Sequence, residues 1–149
     1  MRYQQLALGL PSLGVARPYC GDSCFSSISS LDFEGCRDAI PTDKVSILRC
    51  HCASPAFLGS IALCIEEHCA SEPSAWTPAY HSCAIRAGVP ISGFEEALFS
   101  AKQHGATPFI DSATIPPYQP VSIPTSTFDQ VDKSVYAFKH NLDVAVSTG

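Results

Sequence analysis

Apolar positions along the chain fall into short runs separated by Pro, Gly and polar clusters, and several of these runs have helical spacing. The clearest begins at Ser54, which can cap a helix, with Pro55 at the first helical position. Phe57, Leu58, Ile61, Ala62, Cys64 and Ile65 then form one apolar side, with Cys69 on the same flank. Upstream, residues 20–30 read as a short helix. Cys20 and Cys24 are four apart and share a face. Leu31, Phe33 and Cys36 extend that apolar contact, whereas 37–49, with Pro41 and several charges, reads as an irregular loop with at most one turn. Downstream, Thr77-Pro78 is a start signal and Gly88 a stop, which predicts a helix over 80–87 containing Cys83. Ser92 and Glu95 have capping-box spacing ahead of a helix over 94–104, ended by Gly105.

Beyond Gly105 the character changes. Pro108, Pro116, Pro117, Pro120 and Pro124 crowd residues 106–132 among Ser and Thr, the composition of an extended, weakly ordered linker. Residues 133–149 regain helical spacing through Val135, Phe138, Leu142 and Val146, an amphipathic helix suited to docking or to preceding a membrane segment. Residues 1–16 have some features of a leader: Arg2, a mildly apolar Leu6–Val15 run, and small Gly14 and Ala16. Gly9, Pro11 and Gly14 interrupt that run. The expected fold is therefore mainly α: a small helical domain over 17–105, an extended Pro-rich tail and a short terminal helix.

Composition turns this helical domain into a disulfide-stapled one. All eight cysteines of the 149 residues lie between Cys20 and Cys83. A core confined to that span is too small to hold itself without cross-links, a metal or a partner. An even cysteine count suits four bridges, which places the chain in an extracellular or secreted setting. The net charge of −5, with no basic run, argues against nucleic acid as a partner. The sole Asn, Asn141, is followed by Leu and Asp, so no N-glycosylation acceptor is present.

The cysteine order has further content. An opening Cys20-x3-Cys24, a central Cys50-His51-Cys52 and a Cys64-x4-Cys69 ending resemble the eight-cysteine domain of fungal extracellular membrane proteins, the CFEM domain. The wording between them, "RPYCGDSCFSSISSLDFEGC" and "SPAFLGSIALCIEEHC", is similar to the amino-terminal outer segment of fungal ferric-reductase-like membrane proteins. The tail "VYAFKHNLDVAVSTG" resembles the segment ahead of their first membrane helix. This resemblance implies a membrane-associated module at the cell surface, with a role in iron acquisition and the membrane part of a larger reductase-like protein as its partner. The reductase machinery of the resembled proteins, haem between membrane helices and a flavin–nicotinamide domain, has no counterpart in these residues. The chain alone is therefore expected not to be an enzyme.

Eight cysteines allow on the order of a hundred connectivities, and the sequence does not choose among them. The resemblance implies Cys20–Cys69, Cys24–Cys64, Cys36–Cys50 and Cys52–Cys83. The first two also follow if the helices carrying them run antiparallel. The resemblance further brings haem or iron as the cofactor to consider. Haem-binding members place an Asp three residues before the fourth cysteine, and Ile47 stands there instead. The nearest acids are Asp43 and Asp38, and His51 offers an imidazole. His51 and Asp43 are thus the candidate metal or haem ligands. The plainer reading of His51 is an exposed polar residue between two outward-turned disulfides.

Other chemistries find less support. A zinc set of Cys50, Cys52, His68 and Cys69 has the right ligand types but cramped spacing, and it strands four cysteines. No cysteine is spare to act as a nucleophile, and no Gly-x-Ser-x-Gly occurs. Glu66-Glu67 and Glu95-Glu96 read as solvated helix faces, and Trp76 and Tyr80 as cover for the small core. Two functions remain in view: a non-catalytic outer module of a ferric-reductase-like membrane protein, or a free secreted haem-binding or effector protein.

Overall fold

The computed structural model describes residues 17–39, 43–69, 73–108, 114–116 and 118–148. The candidate leader over 1–16 and the Trp76 side chain lie outside the described residues. The fold is mainly α. In chain order the elements are α1 (Cys20–Ser29), β1 (Asp32–Phe33), α2 (Cys36–Ala39), α3 (Lys44–Cys52), α4 (Pro55–His68), α5 (Pro73–Ala87), α6 (Phe94–His104), β2 (Thr107–Pro108), β3 (Thr114–Ile115), β4 (Val121–Ser122) and α7 (Thr125–Thr148).

Helix α4 is the centre of the molecule. The Ser54 side chain accepts from the Phe57 N–H, and Pro55 opens the helix. From Ala56 to Ile65 every residue is buried, so neighbours cover α4 on all sides. Helix α1 packs on one flank through Cys20, Cys24 and Ile28, which repeat every fourth residue. Helix α6 packs on another, where Gly59 lets the backbones approach. A Cβ at Gly59 would lie 3.0 Å from the Ala101 Cβ. Lys102 and Glu66 close the exposed edge of that contact at 2.6 Å.

The four disulfides are Cys20–Cys69, Cys24–Cys64, Cys36–Cys50 and Cys52–Cys83, with Cα–Cα distances of 5.6, 5.7, 5.9 and 5.5 Å. No described cysteine is free. The first two bonds tie α1 antiparallel to α4, and the last ties α3 to α5. Four bonds drawn from eight cysteines are compatible with the eight-cysteine pattern noted in the sequence.

Several local expectations need correction. The stretch 37–49 holds more than one turn in a loop: α2 supplies a turn at its start, and α3 fills its second half, because Asp43 caps it by accepting from the Val45 and Ser46 N–H groups. Helix α5 begins at Pro73 and carries Pro78 inside it, so Thr77-Pro78 is not its start. The capping box ahead of α6 does not form. Gly93 occupies the N-cap, and the Ser92 carbonyl instead accepts from the buried Tyr80 hydroxyl at 2.9 Å.

Ahead of α7, the described parts of the Pro-rich tail are pinned to the domain. β1 pairs in parallel with β3, and β2 with β4. The Val121 N–H donates to Ser60 Oγ at 2.8 Å, while Ser60 itself donates to the Ala56 carbonyl. Ile115, Val121 and Ile123 enter the core. Helix α7 then starts at Thr125 rather than at Lys133. Phe128 buries completely, and Asp132 accepts from Ser23 of α1 at 2.6 Å. Over its distal part Phe138, Leu142 and Val146 are exposed.

The Gly59–Ala101 approach has a direct test. Gly59→Val should lower stability by about 1–3 kcal/mol through overpacking, read from urea unfolding. Adding Ala101→Gly should recover part of that loss despite its own helix-propensity cost. Strictly additive effects of the two changes would contradict the close contact.

Candidate functional site

The two candidate ligands sit at opposite ends of α3. Asp43 caps its start and His51 lies in its last turn, so the helical rise separates them by about 12 Å. Asp43 is exposed, but its carboxylate already accepts from the Val45 N–H, the Ser46 N–H and the Ser46 hydroxyl at 2.5 Å. The Ser46 side-chain hydrogen bond is the main reason that its pKa lies below the usual carboxylate value.

His51 is not exposed between disulfides; only 1% of its surface is accessible. Its ring stacks on Phe57 at 5.1 Å and meets Phe33 edge-on at 5.7 Å. Nε2 accepts from the Phe33 backbone N–H at 3.3 Å, which joins α3 to β1. An accepting Nε2 requires the neutral ring with its proton on Nδ1. Burial lowers its pKa to about 4, and the nearby Arg37 charge adds to the effect. Phe57 in turn meets Phe33 at 5.3 Å and Phe25 at 5.9 Å, so His51 is one ring of a buried aromatic cluster. Ile47, where the haem-binding pattern has Asp, faces the interior with 8% of its surface accessible. The Asp38 side chain lies outside the described residues.

These residues do not fit haem or iron. One candidate is committed to a helix cap, the other to a backbone hydrogen bond inside the core, and they do not converge. The zinc set also fails, because Cys50, Cys52 and Cys69 are bonded to Cys36, Cys83 and Cys20. His68 donates from Nε2 to the Ile123 carbonyl at 3.0 Å and stacks on Phe128 at 4.4 Å. It thereby fastens the root of α7 to α4. Among the described residues no group of three His, Cys, Asp or Glu side chains is placed to share a metal. Glu66 pairs with Lys102 on the surface.

The concave feature lies elsewhere. A groove of about 530 Å³ opens where α1, α5 and α7 meet. Its walls include Phe25 of α1 and Val131, Val135 and Phe138 of α7, and Arg86 of α5 reaches its rim. The Arg86 guanidinium stands 5.8 Å from the centre of the Phe25 ring. At the other rim Lys139 faces Asp22 at 3.4 Å. A second hollow of about 400 Å³ adjoins it and shares Asp22, Ser82 and Arg86.

No family model matches the chain, and neither the curated proteins nor the solved structures compared with it provide a match. The site is therefore read from its geometry alone. Reasoning from sequence missed the groove because its residues belong to three separate helices. Val135 and Phe138 carried a signal through their helical spacing; Phe25 and Arg86 carried none. Among the described residues no single helix is long and apolar enough to cross a membrane.

The His51 environment sets a pH dependence. The imidazole stays neutral in the fold down to about pH 4, whereas an unfolded chain protonates it near its ordinary value of about 6.5. Stability associated with this group is complete above about 6.5, declines as the pH falls towards about 4, and levels off below that. The loss should be on the order of 2–3 kcal/mol. His51→Phe should be less stable at neutral pH, because Phe33 N–H loses its acceptor, and should show a flatter acid limb. Urea midpoints between pH 7 and 4 that shift equally in both proteins would refute this assignment.

Proposed function

We propose that the chain is a non-catalytic extracellular module of a ferric-reductase-like membrane protein of the fungal kind its sequence resembles. Its role would lie at the outer cell surface, in support of iron or metal acquisition. The observation that carries the reading is that the reactive residue types of the cysteine-rich domain serve the fold. All eight cysteines form disulfides, His51 holds β1, and Asp43 caps α3. Such a domain supplies a stable surface near a membrane, and the electron-transfer chemistry belongs to other parts of the larger protein. The disulfides support extracellular placement, because such bonds are typical of secreted and extracellular proteins and persist in oxidising compartments. The exposed apolar residues of distal α7 give the module a side on which to meet the membrane part of its protein.

The alternative is a free secreted haem-binding or effector protein, and two measurements separate the readings. A tagged native protein should remain with the membrane fraction and be cut by protease added to intact cells. Release of the module into the medium would favour the free protein, and protection from external protease would refute an outer-surface location. Hemin titration of the oxidised chain should produce no saturable Soret shift. A stoichiometric shift abolished by His51→Ala or Asp43→Asn would instead support haem binding.

A further inference from the structure

We infer that the groove between α1, α5 and α7 binds the monomeric anion of a long-chain aliphatic carboxylic acid. This goes beyond the surface-module reading and does not depend on it. The volume, about 530 Å³, falls in the range of small-molecule sites, which are mostly apolar with a few placed polar groups. Phe25, Val131, Val135 and Phe138 supply the apolar wall. Phe25 is held in place by its edge-on contact with Phe57. Val131, Val135 and Phe138 lie on one side of α7 at successive helical spacings of four and three.

Charge selects the head group. Asp22, the acid on the groove, is faced by Lys139 at 3.4 Å, so that pair contributes little net charge. Arg86 forms no ion pair with a described carboxylate. Its guanidinium is held beside the Phe25 ring, at the junction of the groove with the adjoining hollow. Among the described residues, the groove thus offers one positive charge without an ion pair next to an apolar wall. A guanidinium fork suits the planar, singly charged carboxylate. The aliphatic chain would run along α7 and cover surface that water otherwise meets.

Calorimetric titration of the oxidised full chain with dodecanoate, kept below its micelle concentration, tests the proposal. One equivalent should bind saturably, and dodecyltrimethylammonium, with the same chain and opposite charge, should bind at least about tenfold more weakly. Arg86→Gln should weaken dodecanoate binding by about tenfold or more, as expected for loss of a charge-assisted hydrogen bond. Val135→Asp should do the same by placing a like charge in the apolar wall. Thermal unfolding of both variants would establish that they fold. Phe99→Asp, at an exposed position of α6 outside the groove, should leave the affinity unchanged. Absence of saturable binding, equal affinity in Arg86→Gln, equal affinity for the cationic amphiphile, or association only with micelles or vesicles would each overturn the assignment.

Discussion

The clamp between α1 and α4 is the constraint on which the rest of the structure depends. Helix α1 has 10 residues, too few to persist alone in water. Two disulfides hold it against α4 and close sequence separations of 49 and 40 residues. On the chain-entropy scale each loop of that length contributes about 4 kcal/mol. Because the bonds leave the same face of α1 in successive turns, they fix its direction and rotation as well as its position. The direction is antiparallel, and the face presented to α4 is the one bearing Ile28, which buries completely.

Much of the remaining architecture follows from that placement. With α1 fixed, Phe25 reaches Phe57, and Phe57 gathers Phe33 and His51 into one cluster of rings. The opposite side of α1 offers Ser23 to Asp132 and Asp22 to Lys139, and these contacts guide α7 along it. Helix α7 is 24 residues long, about 36 Å by helical rise, and its residues 141–146 are exposed. The groove is a consequence of this geometry: three helices meet without filling the angle between them, and Arg86 is left at the edge. A rigid disulfide scaffold can therefore present a binding surface although its cysteines and its buried histidine take no part in it.

The legible parts of the fold were those encoded locally. Ser54-Pro55 and the apolar residues after it marked α4, and the clustered cysteines marked a stapled domain. What escaped was decided by contacts distant in sequence. In α3, charges and a preceding Pro concealed a helix that Asp43 caps, and Asp43 itself drew notice as a ligand. In the Pro-rich tail, Val121, Ile123 and Phe128 were outnumbered by Ser, Thr and Pro. Their burial depends on Ser60 and His68 of α4, which receive and fasten that stretch. His51 looked exposed because cysteines flank it, yet its setting comes from Phe33 and Phe57. The candidate site was less legible than the fold, since no two of its walls are neighbours in sequence.

The claim that the cysteine frame is wholly structural is tested most directly by a peptide map of the folded chain under non-reducing conditions with free thiols blocked. Four linked pairs should appear, joining Cys20 to Cys69, Cys24 to Cys64, Cys36 to Cys50 and Cys52 to Cys83, with no blocked thiol. Cys50 or Cys52 recovered with a blocked thiol, or either one joined to a different partner, would contradict it.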